Sequence, residues 1–158
     1  MKRIHVVAAV IHSAVGAKSA SSIKNIKSIT NIKSHNSIPN QLLIARRPDH
    51  LHQGGLWEFP GGKVETGEQP RQALVRELKE ELDIQVTACE PFMQVSHDYT
   101  DKQVLLDIWR VTAFEGEARG MEGQDCRWVA LTDLLLPDSD YAFPAANQGI
   151  LDRLALGL

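Results

Sequence analysis

Apolar residues fall along this chain in two rhythms. Residues 4–11 form an almost unbroken aliphatic run between His5 and His12, and residues 41–45 repeat the habit. Short continuous runs of this kind suit strands buried on both faces. Further strands are predicted over 89–94, 104–114 and 127–129. The second rhythm is helical: Leu74, Leu78 and Leu82 recur every four residues with Val75 beside them, one apolar stripe on a helix over 70–82. Pro70 suits the first helical position, where its missing N–H would have been unpaired anyway. A short helix over 131–136 and a last one over 147–156 complete the expectation, an α/β fold with a mixed sheet covered by helices.

One stretch obeys neither rhythm. Residues 13–40 hold seven Ser, four Lys and no acid, and their isoleucines at 23, 26, 29 and 32 recur every three residues. A period of three matches neither a strand nor a helix. The segment reads as a low-complexity insertion in a strand-to-strand connection, with a cationic arm touching phosphates as the functional alternative.

Composition narrows the function classes. At 158 residues, 43% hydrophobic and 23% charged, the chain suits a single globular domain spanning 1–158. The formal charge is -3, and without the four lysines of the insertion the remainder stands at -7. That balance gives no basic footprint for duplex nucleic acid. Cys89 and Cys126 have no partner at metal-ligand spacing and read as two ordinary thiols in a reducing, cytoplasmic setting. The basic, apolar start imitates a secretory signal, but the two histidines favour a buried first strand, and no run is long enough to span a membrane.

The stretch RELKEELDI, residues 76–84, concentrates Glu77, Glu80, Glu81 and Asp83. Like charges at helical spacings of three and four repel by roughly 0.2–0.5 kcal/mol per pair. At 100° per residue the three glutamates share about a third of the helix circumference, beside the leucine stripe that anchors the helix. Hard divalent cations favour such oxygen ligands, and Mg2+ binds through a few carboxylates together with waters and substrate phosphates. A bare acidic helix face is more often simply solvated. Two features argue against that here: FPGGKVETGE offers a Gly-rich turn whose backbone can approach a ligand, and Arg76 can pair with Glu68 to fix a loop against the helix.

These residues resemble the signature of the Nudix hydrolases: Gly, five residues, Glu, seven residues, then Arg-Glu-apolar-x-Glu-Glu-x-Gly-apolar. Gly62, Glu68, Arg76, Glu77, Leu78, Glu80, Glu81 and Ile84 occupy its fixed positions, and Asp83 stands where the family has Gly. The resemblance implies an α/β/α sandwich, dependence on Mg2+ with Mn2+ as a substitute, and hydrolysis of a nucleoside diphosphate linked to another group. It places the metal on Glu77, Glu80 and Glu81, with the Gly61 carbonyl and Glu122 as further ligands. Arg76 and either Glu77 or Glu122 serve the catalytic step.

Within the family the chain most resembles the MutT branch, which clears 8-oxo-dGTP from the nucleotide pool. That likeness puts Arg47, Phe59 and Lys63 beside a nucleoside triphosphate, Glu122 in a catalytic loop, and Asn147 at the base. An Asn amide both donates and accepts, so it can meet the O6 acceptor and the N7–H donor of 8-oxoguanine. The implied reaction is attack of water on the β-phosphorus, giving a nucleoside monophosphate and pyrophosphate. Individual residues have plainer readings too: Arg46 and Arg47 point to opposite faces, so one is a surface charge, Phe59 and Phe143 are core or wall residues, and Asn147 caps the last helix. His50, His52 and His97 read as structural or surface residues, and Trp57, Trp109 and Trp128 as core or half-buried sheet residues. Two rival functions stay open, a pyrimidine or broad-specificity nucleotide pyrophosphohydrolase and a catalytically silent binding module. Asp83 is expected to be a left-handed helix cap, not a ligand.

Overall fold

The structure, a computed structural model, describes residues 2–13 and 41–157. In chain order the elements are β1 (Lys2–Ile11), β2 (Gln41–Arg46), β3 (Trp57–Glu58), β4 (Gly61–Lys63), α1 (Pro70–Leu82), β5 (Gln85–Asp98), β6 (Lys102–Glu115), β7 (Cys126–Ala130), α2 (Leu131–Leu134) and α3 (Gln148–Ala155). A 3-10 turn, Ala145–Asn147, leads into α3.

β1 explains its own sequence. It pairs with β6 in parallel, from Lys2 opposite Lys102 to Ile11 opposite Val111, and with β4 antiparallel. Side chains alternate across a strand. Val7, Ala9 and Ile11 therefore join Ala73, Leu74, Leu78 and Leu82 of α1 in one core, while Ala8 and Val10 join a second core with Leu42, Ile44, Trp57, Phe59 and Ile108. Ile150, Leu151 and Leu154 of α3 close the second core. With both faces covered, every position from Val7 to Ile11 is buried, hence the unbroken apolar run. Helices on both sides of the sheets give the expected α/β/α arrangement.

The strands make two sheets, not one. A four-stranded mixed sheet runs β4-β1-β6-β5, and a three-stranded antiparallel sheet runs β3-β2-β7. The chain crosses between them at Phe59 and Pro60, and Pro60, which has no N–H for a ladder, accepts a bond at its carbonyl from Ala9 N at 2.8 Å. β3 and β4 were not expected, because two- and three-residue strands beside Pro and Gly carry no periodicity. β5 also outruns its expected 89–94: its register shifts three times between Val86 and Met93, which scrambles the alternation a sequence reading needs.

The expectation for residues 13–40 lies outside the described residues apart from Ser13. The flanks meet: Gln41 N donates to Ser13 Oγ at 3.4 Å, and His12 bridges Leu42. Cys89 and Cys126 are free thiols. Asp83 follows α1 with φ 56° and ψ 35°, the left-handed cap expected of it, and its N–H donates to the Lys79 carbonyl at 3.1 Å.

Candidate active site

Arg76 organises the acidic helix. Its Nε and Nη2 fork onto the two carboxylate oxygens of Glu68 at 2.8 and 3.0 Å, and Nη2 also reaches the Lys63 carbonyl at 3.1 Å. Nη1 meets Glu77 Oε1 at 2.8 Å and Glu80 Oε2 at 3.5 Å. A bidentate guanidinium fixes direction as well as distance, so the loop after β4 is lashed to α1. The Arg76 hydrogen bonds, helped by the Glu65 N–H, draw Glu68 down to about 2. The same bonds, to Glu68 first and Glu77 second, push the Arg76 guanidinium further up.

The acidic repulsion is thus answered partly within the chain, by Arg76 as well as by any cation. Glu77 and Glu80 share Arg76. Glu81 forms no ion pair among the described residues and accepts a hydrogen bond from Gly61 N at 3.3 Å. Burial, then the neighbouring charges of Glu77, Glu122 and Glu58, push its carboxyl up to about 8.

Glu81 opens into a cavity of about 410 Å³ between the two sheets. Val6, Ala8, Leu106, Ile108 and Phe59 make its apolar part. Arg47, Glu58, Gly61, Gly62, Lys63, Glu81, Glu122 and Asn147 supply its polar lining, so seven residues singled out in the sequence besides Phe59 converge there. Glu77, Glu80, Arg76, Glu68 and Asp83 stand outside the lining. Glu77 backs onto it: a Cβ on Gly62 would fall 2.2 Å from the Glu77 carboxyl carbon, so any larger residue there would displace the carboxylate that Arg76 holds. Gly61 is held more tightly, since a Cβ there would lie 1.9 Å from the backbone carbonyl oxygen of Val7. Glu80 is the outlier, with a side chain 57% exposed.

Arg47, expected to meet the nucleotide, is already engaged. Its Nη1 pairs with Glu58 at 3.1 Å and its Nε donates to the His52 carbonyl at 2.9 Å, so it braces the turn between β2 and β3. Arg46, the neighbour read as a surface charge on the other face, pairs with Asp49 at 2.9 Å and also borders the cavity. Phe59 lines the cavity and packs, tilted by 36°, on Phe143 behind it at 5.3 Å between centroids. Asn147 precedes α3 but makes no side-chain cap bond, so its amide is not committed to the helix and lines the cavity instead.

Sequence reasoning missed Glu58 and Gln124. Glu58 is half-buried, and burial raises its carboxyl despite Arg47. Its signal was a charge wedged between two buried aromatics, Trp57 and Phe59. Gln124 joins the helix to the Glu122 loop through hydrogen bonds no pattern displays.

Does a divalent cation suit these residues? The donor set is all oxygen, as hard cations require. Glu81 is pressed by three like charges with no countercharge, the electrostatic condition a cation relieves. Among the described residues no three carboxylates, imidazoles or thiolates converge on one point. A fully formed protein cage is therefore absent there, and an ion that takes waters and phosphate oxygens fits better than one that needs every ligand from protein.

The comparisons with known proteins agree with this geometry. Residues 36–153 match the NUDIX domain model. The chain is 39% identical over 115 residues to an 8-oxo-dGTP diphosphatase of Escherichia coli, covering 73% of this chain and 86% of that protein. It is 41% identical over 110 residues to a CTP pyrophosphohydrolase of the same organism, covering 70% and 77%. A solved MutT structure, from work on the Aliivibrio salmonicida and Vibrio cholerae proteins, superposes with a TM-score of 0.70 at 36% identity, covering 99% of this chain and 100% of that one. The signature on α1, the two-layered core and these likenesses agree: the chain belongs to the Nudix family.

Proposed function

We propose that this protein is a Mg2+-dependent nucleoside triphosphate pyrophosphohydrolase of the cytoplasmic nucleotide pool, acting on 8-oxo-dGTP to give 8-oxo-dGMP and pyrophosphate. The observation that carries the proposal is the division of the cavity: an apolar part with the uncommitted Asn147 amide, and an acidic part at Glu81 and Glu122. A planar base suits the first and a polyphosphate with its cations suits the second. Likeness to 8-oxo-dGTP diphosphatases supports the choice of base.

Nudix hydrolases generally need a divalent metal, and Glu77, Glu80, Glu81, Glu122 and the Gly61 carbonyl are the groups that would hold Mg2+ here. When bound, such ions neutralise charge developing on the phosphates and make water more acidic. The chain supplies the rest. Arg76 fixes Glu77, the Gly61 N–H fixes one Glu81 oxygen, and Lys63 adds an exposed positive charge at the cavity edge. Glu77 or Glu122 accepts the proton of the attacking water. That water joins the β-phosphorus as the bond to the α-bridging oxygen breaks, leaving the monophosphate with that oxygen.

Likeness to a CTP pyrophosphohydrolase gives a second reading, the same chemistry on a pyrimidine triphosphate. Pyrophosphate release from 8-oxo-dGTP, dGTP and CTP with Mg2+ decides between them. We expect 8-oxo-dGTP to be preferred, and Asn147→Ala to lower kcat/KM for it by about 10–100-fold, the scale of one or two lost specific hydrogen bonds. An equal fall on all three nucleotides would show that Asn147 does not read the base.

A further inference from the structure

We infer that Gln124 is the positioning residue for Glu122, a single side-chain amide that ties the Glu122 backbone to the end of α1 and so sets that carboxylate relative to Glu81. The inference rests on the reading of Glu122 as part of the reaction site.

Glu122 sits on the connection between β6 and β7, and its side chain is exposed. An exposed loop residue contributes to a reaction only if its backbone is held, because each free rotation dilutes the productive geometry. The connection is pinned first by its backbone. Arg119 N donates to the Leu82 carbonyl at 3.1 Å, and Met121 N donates to the Glu81 carbonyl at 2.9 Å. These carbonyls belong to the last turn of α1, where no further helical N–H is available for them.

Glu122 itself makes neither bond. Its N–H donates to Gln124 Oε1 at 2.8 Å, and Gln124 Nε2 donates to the Glu81 carbonyl at 3.0 Å. The chain of contacts therefore runs from Glu81 through one amide to Glu122. Gln124 is partly buried and borders the cavity. A primary amide offers a donor and an acceptor on one planar group of this length; ionised Glu lacks the donor, and Met has no donor and only a weak acceptor. The turn is tight at this point, since a Cβ on Gly120 would fall 2.1 Å from the Gln124 backbone oxygen and 3.1 Å from its side-chain Oε1.

Gln124→Met keeps the length and removes both hydrogen bonds. Hydrogen exchange at the Glu122 amide, followed by NMR in the wild type and the variant, reads the tie without any substrate. The expected result is exchange at least about 10-fold faster at Glu122 in Gln124→Met, with α1 and β6 amides unchanged. Turnover provides the second reading. Gln124→Met should lower kcat by about 10-fold with KM altered less than about 2-fold, and in a Glu122→Gln background the same change should have almost no further effect. Unchanged exchange at Glu122 would overturn the inference. So would a loss of kcat that persists undiminished in the Glu122→Gln background, which is what direct substrate contact or general loosening gives. A wild-type protein that turns over no nucleotide sinks the proposed function alone, and the exchange measurement still decides the tie.

Discussion

Glu68 and Glu81 are the same residue type in the same motif, 13 positions apart, and the fold drives them in opposite directions. Glu68 lies in the fork of Arg76 and is drawn down to about 2. Glu81 is half-buried against Glu77, Glu122 and Glu58 and is pushed up to about 8. One carboxylate has its countercharge built into the chain, and the other is left for something that arrives. The first holds a loop in place. The second has no ion-pair partner among the described residues and is neutralised by a proton below about pH 8, a proton that a bound cation would replace.

The largest expected effect comes from removing the unsatisfied member. Glu81→Gln should lower turnover by more than the roughly 100-fold typical of residues that only support a metal ligand, measured as pyrophosphate release at saturating Mg2+. The same change should alter the pH dependence of the metal-free fold. The folded-state pKa of Glu81 lies above its ordinary value of about 4.3, so its contribution to stability is complete below pH ~4 and is lost as the pH rises to about 8. Urea denaturation with a chelator present should show a declining alkaline limb in wild type and a flatter one in Glu81→Gln. Glu68 has the opposite sign: its contribution is present above pH ~4.3 and is lost as the pH falls toward about 2. If Glu81 holds Mg2+ as proposed, the ion displaces the Glu81 proton, and its affinity should climb with pH up to about 8. An affinity independent of pH between 5 and 8, an interval chosen to span the Glu81 transition, would contradict the contrast.

A smaller effect is expected from the satisfied member. Arg76→Lys keeps the charge and loses the fork, so Glu68 should titrate closer to the ordinary carboxylate range and Glu77 should lose its fixed direction. A fall in kcat of about 10–100-fold is the usual consequence for a group that orients others. A carboxyl NMR titration of Glu68 checks the electrostatic half separately from the kinetics.

Asp83→Gly should change least. Glycine adopts the left-handed backbone at φ 56° without strain. The aspartate, however, is not idle. It bonds Lys79 and, at 2.8 Å, Arg119, and both draw its carboxyl below the ordinary range. Relief of backbone strain opposes the loss of two exposed ion pairs, which are individually weak. Thermal unfolding should shift by less than about 3 °C in either direction, with turnover intact. A large loss of turnover would mean that the Asp83–Arg119 pair helps hold the Glu122 loop.

Much of this was legible before the fold. The apolar runs at β1 and β2 and the leucine stripe of α1 follow from local rules, because a helix or strand fixes its own side-chain directions within a few residues. The left-handed cap at Asp83 was legible for the same reason, as it depends only on where α1 stops. The Arg76–Glu68 pair was legible from charge and closeness along the chain. The division of the strands into two sheets was not legible, since β3 and β4 are too short to show a period and β5 is broken by register shifts.

The sequence by itself therefore singled out the candidate acids, because the signature spacing places Glu77, Glu80 and Glu81 on one helix and Gly61 and Gly62 on one turn. Tertiary structure decided which of them meet. Lining the cavity requires the parallel pairing of Val6 with Leu106 and Ala8 with Ile108, 100 residues apart, and the return of the chain at Asn147. It also decided that Glu77 would be held by Arg76 while Glu81 would not, and that Glu58 and Gln124 would stand beside them. Charge state and position depend on burial and on partners distant along the chain, and no local pattern of residues records either.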